Sequence, residues 1–420
     1  MKKHVLKNGL TVLMTKMPHV KSVSVSIFAK TGSAAEPDSK AGLSHFLEHM
    51  MFKGTSNMSA KELAAAIEGK GGMLSAYTDR DVTSYYARGI YSEVNTLLTV
   101  LADMYLNSLF LPQEVELEKQ VVLEEISREF DYPESYIHSL FVSNRWSGSS
   151  WGRPILGSRE TVAELRSSDL KEYVATRYTA PNTIISIAGS FDERAVLKLI
   201  GELFQDLPDT SVEFPASSHV MNYESLDIQR DVEQACFCIG FNGLNSSDDS
   251  RYALRLINTA LGGEMYSRLF QEIRERRGLA YSVGSYNLSY PNDGLLVAYG
   301  GTNYKNWDNV KSIVREQIED ITKNGLTPQE LDMAKDNNIV LTLLSQEKPY
   351  DIMSTQAYQE IMFGKQISVE EIVKRISAVD NNQVLETAQR LFPNSESHAI
   401  IYPKSQKPGF IRGILDAWRK

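Results

Sequence analysis

The chain has 420 residues, of which 42% are hydrophobic and 23% are charged, and its net charge at pH 7 is −9. This length predicts two or more domains of a soluble globular protein. The acidic net charge gives no indication of the basic surface that nucleic-acid binding requires, so no nucleic-acid partner is expected. No segment approaches the roughly 20 apolar residues of a membrane span. The lysine-containing N-terminus lacks the apolar centre of a signal peptide, so we expect a cytoplasmic protein.

Secondary-structure elements can be predicted along the first half of the chain. Asn8-Gly9 is typical of a tight turn before a strand at 10–14, and alternation of Ser with Val or Ile predicts a half-buried strand at 22–28. Ser59 and Glu62 form a predicted capping box for a helix at 60–68. The other predictions are a helix at 41–52, one or two strands within 74–90, helices at 94–108 and 113–128, and a strand at 183–188.

The second half of the chain repeats this order of elements. Residues 208–220, rich in Pro, Ser, Asp and Thr, are predicted to link domains at 1–207 and 221–420. Pro112 and Pro328 each begin a Pro-Gln-Glu sequence at a predicted helix start, where proline is tolerated. Two such helices can also occur by coincidence, so the shared order is the better support. We predict an α+β fold of two similar α/β-sandwich halves, each a mixed sheet covered by helices, related by an internal repeat.

The sequence His45-Phe46-Leu47-Glu48-His49 indicates a metal site. Residues four apart on a helix lie on one face, so both imidazoles can reach the same ion. Glu48 lies toward the same side, where it can take a proton from a metal-bound water. The pattern is H-x-x-E-H, the reverse of H-E-x-x-H. The alternative is a pair of surface or core histidines with no metal.

A third ligand is expected on the helix at 113–128, because a catalytic zinc needs three protein ligands and one position open to water. Glu118 and Glu125 lie seven residues apart and share a face, which Val121 and Val122 predict to be buried. A buried carboxylate needs a metal or a charged partner. The other glutamates fit a solvated acidic face, and they are Glu114, Glu116 and Glu124.

The stretch from Gly42 to Thr55, GLSHFLEHMMFKGT, closely resembles the pitrilysin-type zinc peptidases, which include the mitochondrial processing peptidases and insulin-degrading enzyme. The resemblance implies that Glu125 is the third ligand and that Glu118 supports the site from behind the ligands. The two Pro-Gln-Glu sequences are 216 residues apart, and at this offset Leu261 and Leu341 take the places of His45 and Glu125 in the second half. One Zn²⁺ per chain is therefore expected.

The resemblance continues in the second half, through Leu261-Gly262-Gly263 and Ser267-Arg268-Leu269. It implies that Arg274 and Tyr281 contact the substrate, although Arg274 also fits a surface salt bridge in the charged run 274–277. Ser75-Ala76-Tyr77-Thr78 matches a substrate-binding edge strand of the family, in which Asn is usual at the position of Ser75. Ser75, Ala76 and Tyr77 are the predicted substrate-binding residues.

Together these features predict a zinc-dependent endopeptidase that hydrolyses peptides or unfolded precursor segments in an enclosed chamber. Glu48 is the predicted general base, Tyr281 a donor to the developing oxyanion and Arg274 an anchor for a peptide carbonyl. The resemblance implies a homodimer, or a heterodimer with a related chain. The alternatives are a non-catalytic or substrate-presenting subunit of a processing complex, and a peptide-binding module with structural zinc.

Overall fold

The computed structural model describes residues 1–214 and 221–404. Over this part of the chain, two mixed β-sheets are covered by helices, which confirms the predicted fold class. Within the same residues, no helix combines the length and the apolar character needed to cross a membrane.

The first sheet has six strands. These are β1 (Lys2–Val5), β2 (Thr11–Lys16), β3 (Ser22–Ala29), β4 (Met73–Thr78), β5 (Thr83–Ile90) and β6 (Thr183–Gly189). Their order is β1-β2-β6-β3-β5-β4, with only β2 and β6 parallel among neighbours, so β4 is an edge strand. Gly9, with φ +91°, forms the predicted turn between β1 and β2.

The second sheet has five strands and reproduces the first. These are β7 (Leu226–Arg230), β8 (Ala235–Asn242), β9 (Ala280–Ser289), β10 (Gly294–Thr302) and β11 (Ser397–Pro403). Their order is β7-β11-β8-β10-β9, and only β7 and β11 are parallel. Without β1, the first sheet has the same order and the same strand directions. The shared topology confirms the predicted internal repeat.

Fourteen α-helices lie in the described residues, and the predicted helices agree with them to within a few residues at each end. They are α1 (Leu43–Met50), α2 (Ala60–Ile67), α3 (Val94–Asn107), α4 (Pro112–Asp131), α5 (Pro133–Arg145), α6 (Arg159–Glu164), α7 (Ser167–Arg177), α8 (Glu193–Leu203), α9 (Arg251–Asn258), α10 (Trp307–Asn324), α11 (Pro328–Leu344), α12 (Pro349–Phe363), α13 (Val369–Ala378) and α14 (Asn381–Leu391). The Ser59–Glu62 capping box begins α2 as predicted.

The two compact units of the chain do not follow the chain order. The first comprises Met1–Arg128, Trp146–Met221 and Asp336–Ser377, and the second comprises Glu129–Arg145, Asn222–Lys335 and Ala378–Lys420. The reason is that α5 packs on β8 and β11, whereas α12, its equivalent in the repeat, packs on β2, β3 and β6. The predicted ranges 1–207 and 221–420 follow the repeats along the chain and stay a prediction. The first compact unit takes in 336–377, which includes α12, and the second takes in 129–145, which includes α5. Residues 215–220 of the predicted linker at 208–220 lie outside the described residues.

Strand β3 is buried on both faces, so the prediction of a half-buried strand was wrong. Ser24 and Ser26 are 2% and 0% exposed, because α12 covers the face that the alternating serines predicted to be solvated. Hydrogen bonds satisfy the buried hydroxyls of Ser26 and of Ser186 on the neighbouring strand β6. For example, the Oγ atoms of Ser26 and Ser84 are 2.8 Å apart, and Gln356 on α12 donates to Ser186.

Candidate metal centre

Helix α1 presents three polar side chains because its apolar residues fix its orientation. Leu43, Phe46, Leu47 and Met50 are all buried in the core of the first unit, at the spacing that places side chains on one helical face. His45, Glu48 and His49 lie on the opposite side and remain partly accessible.

The side chains of His45, His49 and Glu125 meet at one point. Glu125 Oε2 lies 3.6 Å from His45 Nε2 and 3.5 Å from His49 Nε2, and one ligand atom from each residue lies within 4.8 Å of the others. Tetrahedral zinc, with bonds of about 2.0–2.1 Å, separates neighbouring ligand atoms by about 3.3 Å. Two imidazoles and a carboxylate at these distances fit a zinc ion with a position left for water.

Glu118 and Lys53 orient His49 from behind. His49 Nδ1 lies 2.8 Å from Glu118 Oε1, and the Lys53 ammonium contacts the other Glu118 oxygen. Burial favours the protonated form of Glu118, but the hydrogen bonds from His49 and Lys53 outweigh it and lower the pKa of the carboxyl. An ionised Glu118 accepts the proton of Nδ1, which leaves the Nε2 lone pair free to bind a metal. Sequence analysis gave Lys53 no role, although a buried carboxylate signals a cation nearby.

Glu48 is held by Thr78, which sequence analysis placed in the edge strand but gave no role at the base. The Thr78 hydroxyl, at the end of β4, donates to Glu48 Oε2 at 2.6 Å. Burial raises the pKa of the Glu48 carboxyl above its usual range, although the Thr78 hydrogen bond and His49 lower it in part. A carboxylate with a raised pKa is the better proton acceptor near neutral pH.

The face of α4 that carries Glu118 and Glu125 is buried only in part. Glu118 and Val122 are 4% and 0% exposed, whereas Val121 is 50% exposed and the Glu125 side chain 42%. The prediction that Val121 lies on a buried face was therefore wrong. The buried stripe is centred on Glu118 and Val122, and at 100° per residue Val121 falls outside it and Glu125 at its rim. This position lets Glu125 reach the two histidines.

Ser75, Ala76 and Tyr77 lie on the edge strand β4, partly exposed and opposite Tyr86, Tyr85 and Ser84 of β5. The outer side of an edge strand carries unpaired backbone N–H and C=O groups, which can pair with an extended peptide. Thr78, the last residue of β4, contacts Glu48, so the proposed peptide-binding strand also touches the predicted base.

Arg274 and Tyr281 lie together in the second unit. The guanidinium carbon of Arg274 is 4.8 Å from the centre of the Tyr281 ring and 4.7 Å from that of Phe270. Its Nε also lies 3.7 Å from the carboxylate of Glu275, so the salt bridge considered above is present as well, at long range. Tyr281 is 80% exposed at the start of the edge strand β9. The substrate-contacting roles of both residues stay predictions.

Two family models match the chain. The model described as "Insulinase (Peptidase family M16)" matches residues 11–159, and "Peptidase M16 inactive domain" matches residues 164–338. An uncharacterised zinc protease of Bacillus subtilis is 36% identical, covering 97% of this chain and 99% of the relative. One from Streptomyces coelicolor is 32% identical, covering 96% and 89%.

Solved structures with the same fold include a protease from Helicobacter pylori, with a TM-score of 0.89 at 20% identity over 96% of this chain and 99% of the other. A Pseudomonas fluorescens protein described as a peptidase M16 inactive domain has a TM-score of 0.89 at 18% identity, covering 97% and 99%. At 20% and 18% identity, the similarity to these two structures supports the fold of the chain alone.

Proposed function

The chain belongs to the M16 family of insulinase-like, pitrilysin-type peptidases, and on that premise we propose that it is a zinc-dependent endopeptidase. His45, His49 and Glu125 are the proposed ligands of one zinc per chain, and Glu48 is the proposed general base. The observation that carries the proposal is the convergence of three ligand atoms within 4.8 Å of one another, next to the partly buried carboxylate of Glu48.

Glu48 performs the proton transfers in this proposal. A zinc ion at the site would lower the pKa of a bound water toward about 7 and polarise the scissile carbonyl. With Oε2 held by Thr78, Glu48 takes a proton from the attacking water through its other oxygen. As the water oxygen bonds to the carbonyl carbon and the C–N bond breaks, Glu48 gives the proton to the leaving amine.

The substrate in this proposal is an extended peptide that pairs with β4 along Ser75, Ala76 and Tyr77. Strand addition requires the peptide backbone to be free, which favours short peptides and unfolded precursor segments over folded domains. Tyr281 donates to the developing oxyanion and Arg274 to a peptide carbonyl. The chain pairs as a homodimer, or with a related chain, around an enclosed chamber, and these two residues act at the partner's zinc.

A non-catalytic or substrate-presenting subunit is the alternative function. The family model described as an inactive domain begins at residue 164, beyond all four residues of the proposed centre. The model described as insulinase covers all four of them. The match to an inactive-domain model therefore does not weigh against catalysis by the first half.

A digest of a mixed peptide library, analysed by mass spectrometry, tests the proposal. We expect internal cleavages that stop on addition of chelator and return with zinc. The Glu48→Gln variant should give none of them, because an amide cannot accept the proton. A library left intact by the zinc-loaded wild type would favour the substrate-presenting alternative.

A further inference from the structure

Helix α1 begins without a capping side chain of its own. Its first residue is preceded by Gly42, at φ +92°, where a Cβ atom would lie 2.6 Å from the carbonyl oxygen of Leu156. Both the backbone angle and this close approach require glycine. The Ser, Thr, Asn or Asp that normally accepts the free N–H groups of a first turn is therefore excluded at this position.

Glu36 supplies the missing acceptor from outside the helix. Its Oε2 accepts the N–H of Gly42 at 2.8 Å, and its Oε1 accepts the N–H of Ser44 at 2.6 Å. The residue is 5% exposed, so both hydrogen bonds lie in the protein interior. A carboxylate at this end of a helix is also favoured by the helix dipole. Ser44 immediately precedes His45.

The groups around Glu36 hold it in place. Arg153 Nη2 donates to the Glu36 carbonyl oxygen at 2.8 Å, and Arg153 also pairs with Asp38. Tyr173 interacts electrostatically with Glu36, and the Tyr173 hydroxyl lies 3.0 Å from the Ser44 Oγ. Burial raises the pKa of Glu36 to about 7, against the lowering effect of the Ser44 and Gly42 hydrogen bonds and of Arg153. The carboxylate is therefore kept buried at a free-energy cost that an uncharged side chain would avoid.

We propose that Glu36 is a positioning residue for the metal centre: by fixing the first turn of α1, it sets the direction of His45 toward the ion. The proposal rests on the proposed function, because zinc binding is one of its two readouts. The other readout, the local stability of α1, is measured on metal-free protein and does not depend on catalysis.

Hydrogen exchange of the metal-free protein tests whether Glu36 fixes the first turn of α1. In Glu36→Gln, the side-chain amide can accept one of the two N–H groups but turns a donor toward the other. We expect residues 42–50 to exchange about tenfold faster than in the wild type, with β3 and β6 unchanged. Glu62→Gln is the matched control, because Glu62 also accepts a backbone N–H at a helix start, in the exposed cap of α2.

A competition between the protein and a chelator for zinc tests whether the fixed first turn of α1 also directs His45 toward the ion. We expect Glu36→Gln to weaken zinc binding by about tenfold, within the range for groups that orient metal ligands, and Glu62→Gln to leave it unchanged. The ratio between wild type and Glu36→Gln should increase from pH 6 to pH 8, because only the ionised carboxylate accepts both N–H groups fully. A general loss of folding would not give that pH dependence.

Unchanged exchange at residues 42–50 together with wild-type zinc affinity in Glu36→Gln would overturn the inference. If the wild type itself binds no zinc, the proposed function fails, and the exchange result alone decides whether Glu36 holds α1. If Glu36→Gln does not fold, Glu36→Asp replaces it, since the shorter side chain keeps the charge but reaches only one N–H. Wild-type exchange and zinc affinity in that variant would equally contradict the proposal.

Discussion

His45 and His49 are four residues apart on one helix, yet their surroundings displace their pKa values in opposite directions. Burial, with His49 adding to it, lowers the pKa of His45 to about 4. Burial acts the same way on His49, but the hydrogen bond to Glu118 and the charges of Glu125, Glu118 and Glu48 outweigh it and raise the pKa. Without metal, His45 is therefore neutral at pH 7, whereas His49 keeps its second proton to a higher pH than an ordinary imidazole. In that doubly protonated form, His49 must lose a proton before it can bind zinc.

Thr78→Val should impair the base without removing the metal. The hydroxyl donates to ionised Glu48, so its loss raises the pKa of Glu48 further and lets the carboxylate rotate. We expect kcat to fall about tenfold or more and the acid limb of the pH–rate profile to move to higher pH, with zinc content unchanged. Thr96→Val, which removes a Thr–Glu hydrogen bond on the surface, is the matched control. An unshifted profile would mean that Thr78 does not tune Glu48.

Glu118→Gln should weaken zinc binding by about 10–100-fold. The amide can still accept from His49 Nδ1, but it lacks the charge that favours this tautomer and that pairs with Lys53. A chelator-competition titration measures the change. Glu116→Gln serves as the control, because Glu116 is an exposed residue of the same helix. Equal zinc affinities in the two variants would contradict the assigned role of Glu118.

At the scale of single residues, the sequence could predict the ligands better than their supports. The spacing from His45 to His49 is a local property of a helix, and the family resemblance adds Glu125. Lys53 and Thr78 depend on contacts across the fold, with Glu118 from α4 and Glu48 from α1. Neither contact leaves a periodic pattern in the sequence.

At the scale of elements, β4 connects the proposed peptide-binding edge to the base. Its central residues lie at the sheet edge, and Thr78 at its end contacts Glu48. In a paired strand, successive backbone N–H groups point alternately toward and away from the partner. If a substrate pairs with β4, blocking a backbone N–H group of the substrate should therefore weaken binding at every second residue.

N-methylated substrates test this pairing. In a set of peptides with one backbone N-methyl group each, we expect methylation at alternate positions to raise KM by about tenfold, the equivalent of one lost hydrogen bond. Methylation at the intervening positions should have little effect and provides the control. A loss that is uniform along the peptide, or absent, would exclude strand addition to β4.

The misassigned burial of β3 shows what sequence periodicity cannot supply. Alternating Ser and Val or Ile predicts a strand correctly, but the burial of its serines depends on α12, whose first residue lies more than 300 positions later in the chain. Small hydroxyl side chains suit such a buried face because neighbouring groups satisfy them. The bounds of the helices were predicted more accurately than the burial of β3, because the capping and turn residues that set them lie within a few positions of each helix end.

At the scale of the whole molecule, the two halves share a topology but differ in chemistry. The second sheet repeats the order of the first. By the offset of 216 residues between Pro112 and Pro328, Leu261 and Leu341 are predicted to take the places of His45 and Glu125. The sequence order predicted this repeat. It could not predict that α5 and α12 exchange between the compact units, because that exchange depends on packing between distant segments.

Mixing two inactive variants tests the proposed sharing of sites in a dimer. If Tyr281 acts at the partner's zinc, a mixed dimer of Glu48→Gln and Tyr281→Phe chains contains one site with both residues intact. We expect activity to reappear on mixing, measured with a fluorogenic peptide. Mixing differently tagged Glu48→Gln chains is the control. No recovery, with mixed dimers shown to form, would place each complete site within one chain.

Zinc content measured beside peptidase activity tests the central claim most directly. We predict one zinc per chain in the wild type and in Glu48→Gln, with activity in the wild type alone, and neither zinc nor activity in His49→Ala and Glu125→Ala. A wild-type protein that holds no stoichiometric metal and gains no activity from added zinc, or a Glu48→Gln variant that cleaves peptides at the wild-type rate, would contradict the account.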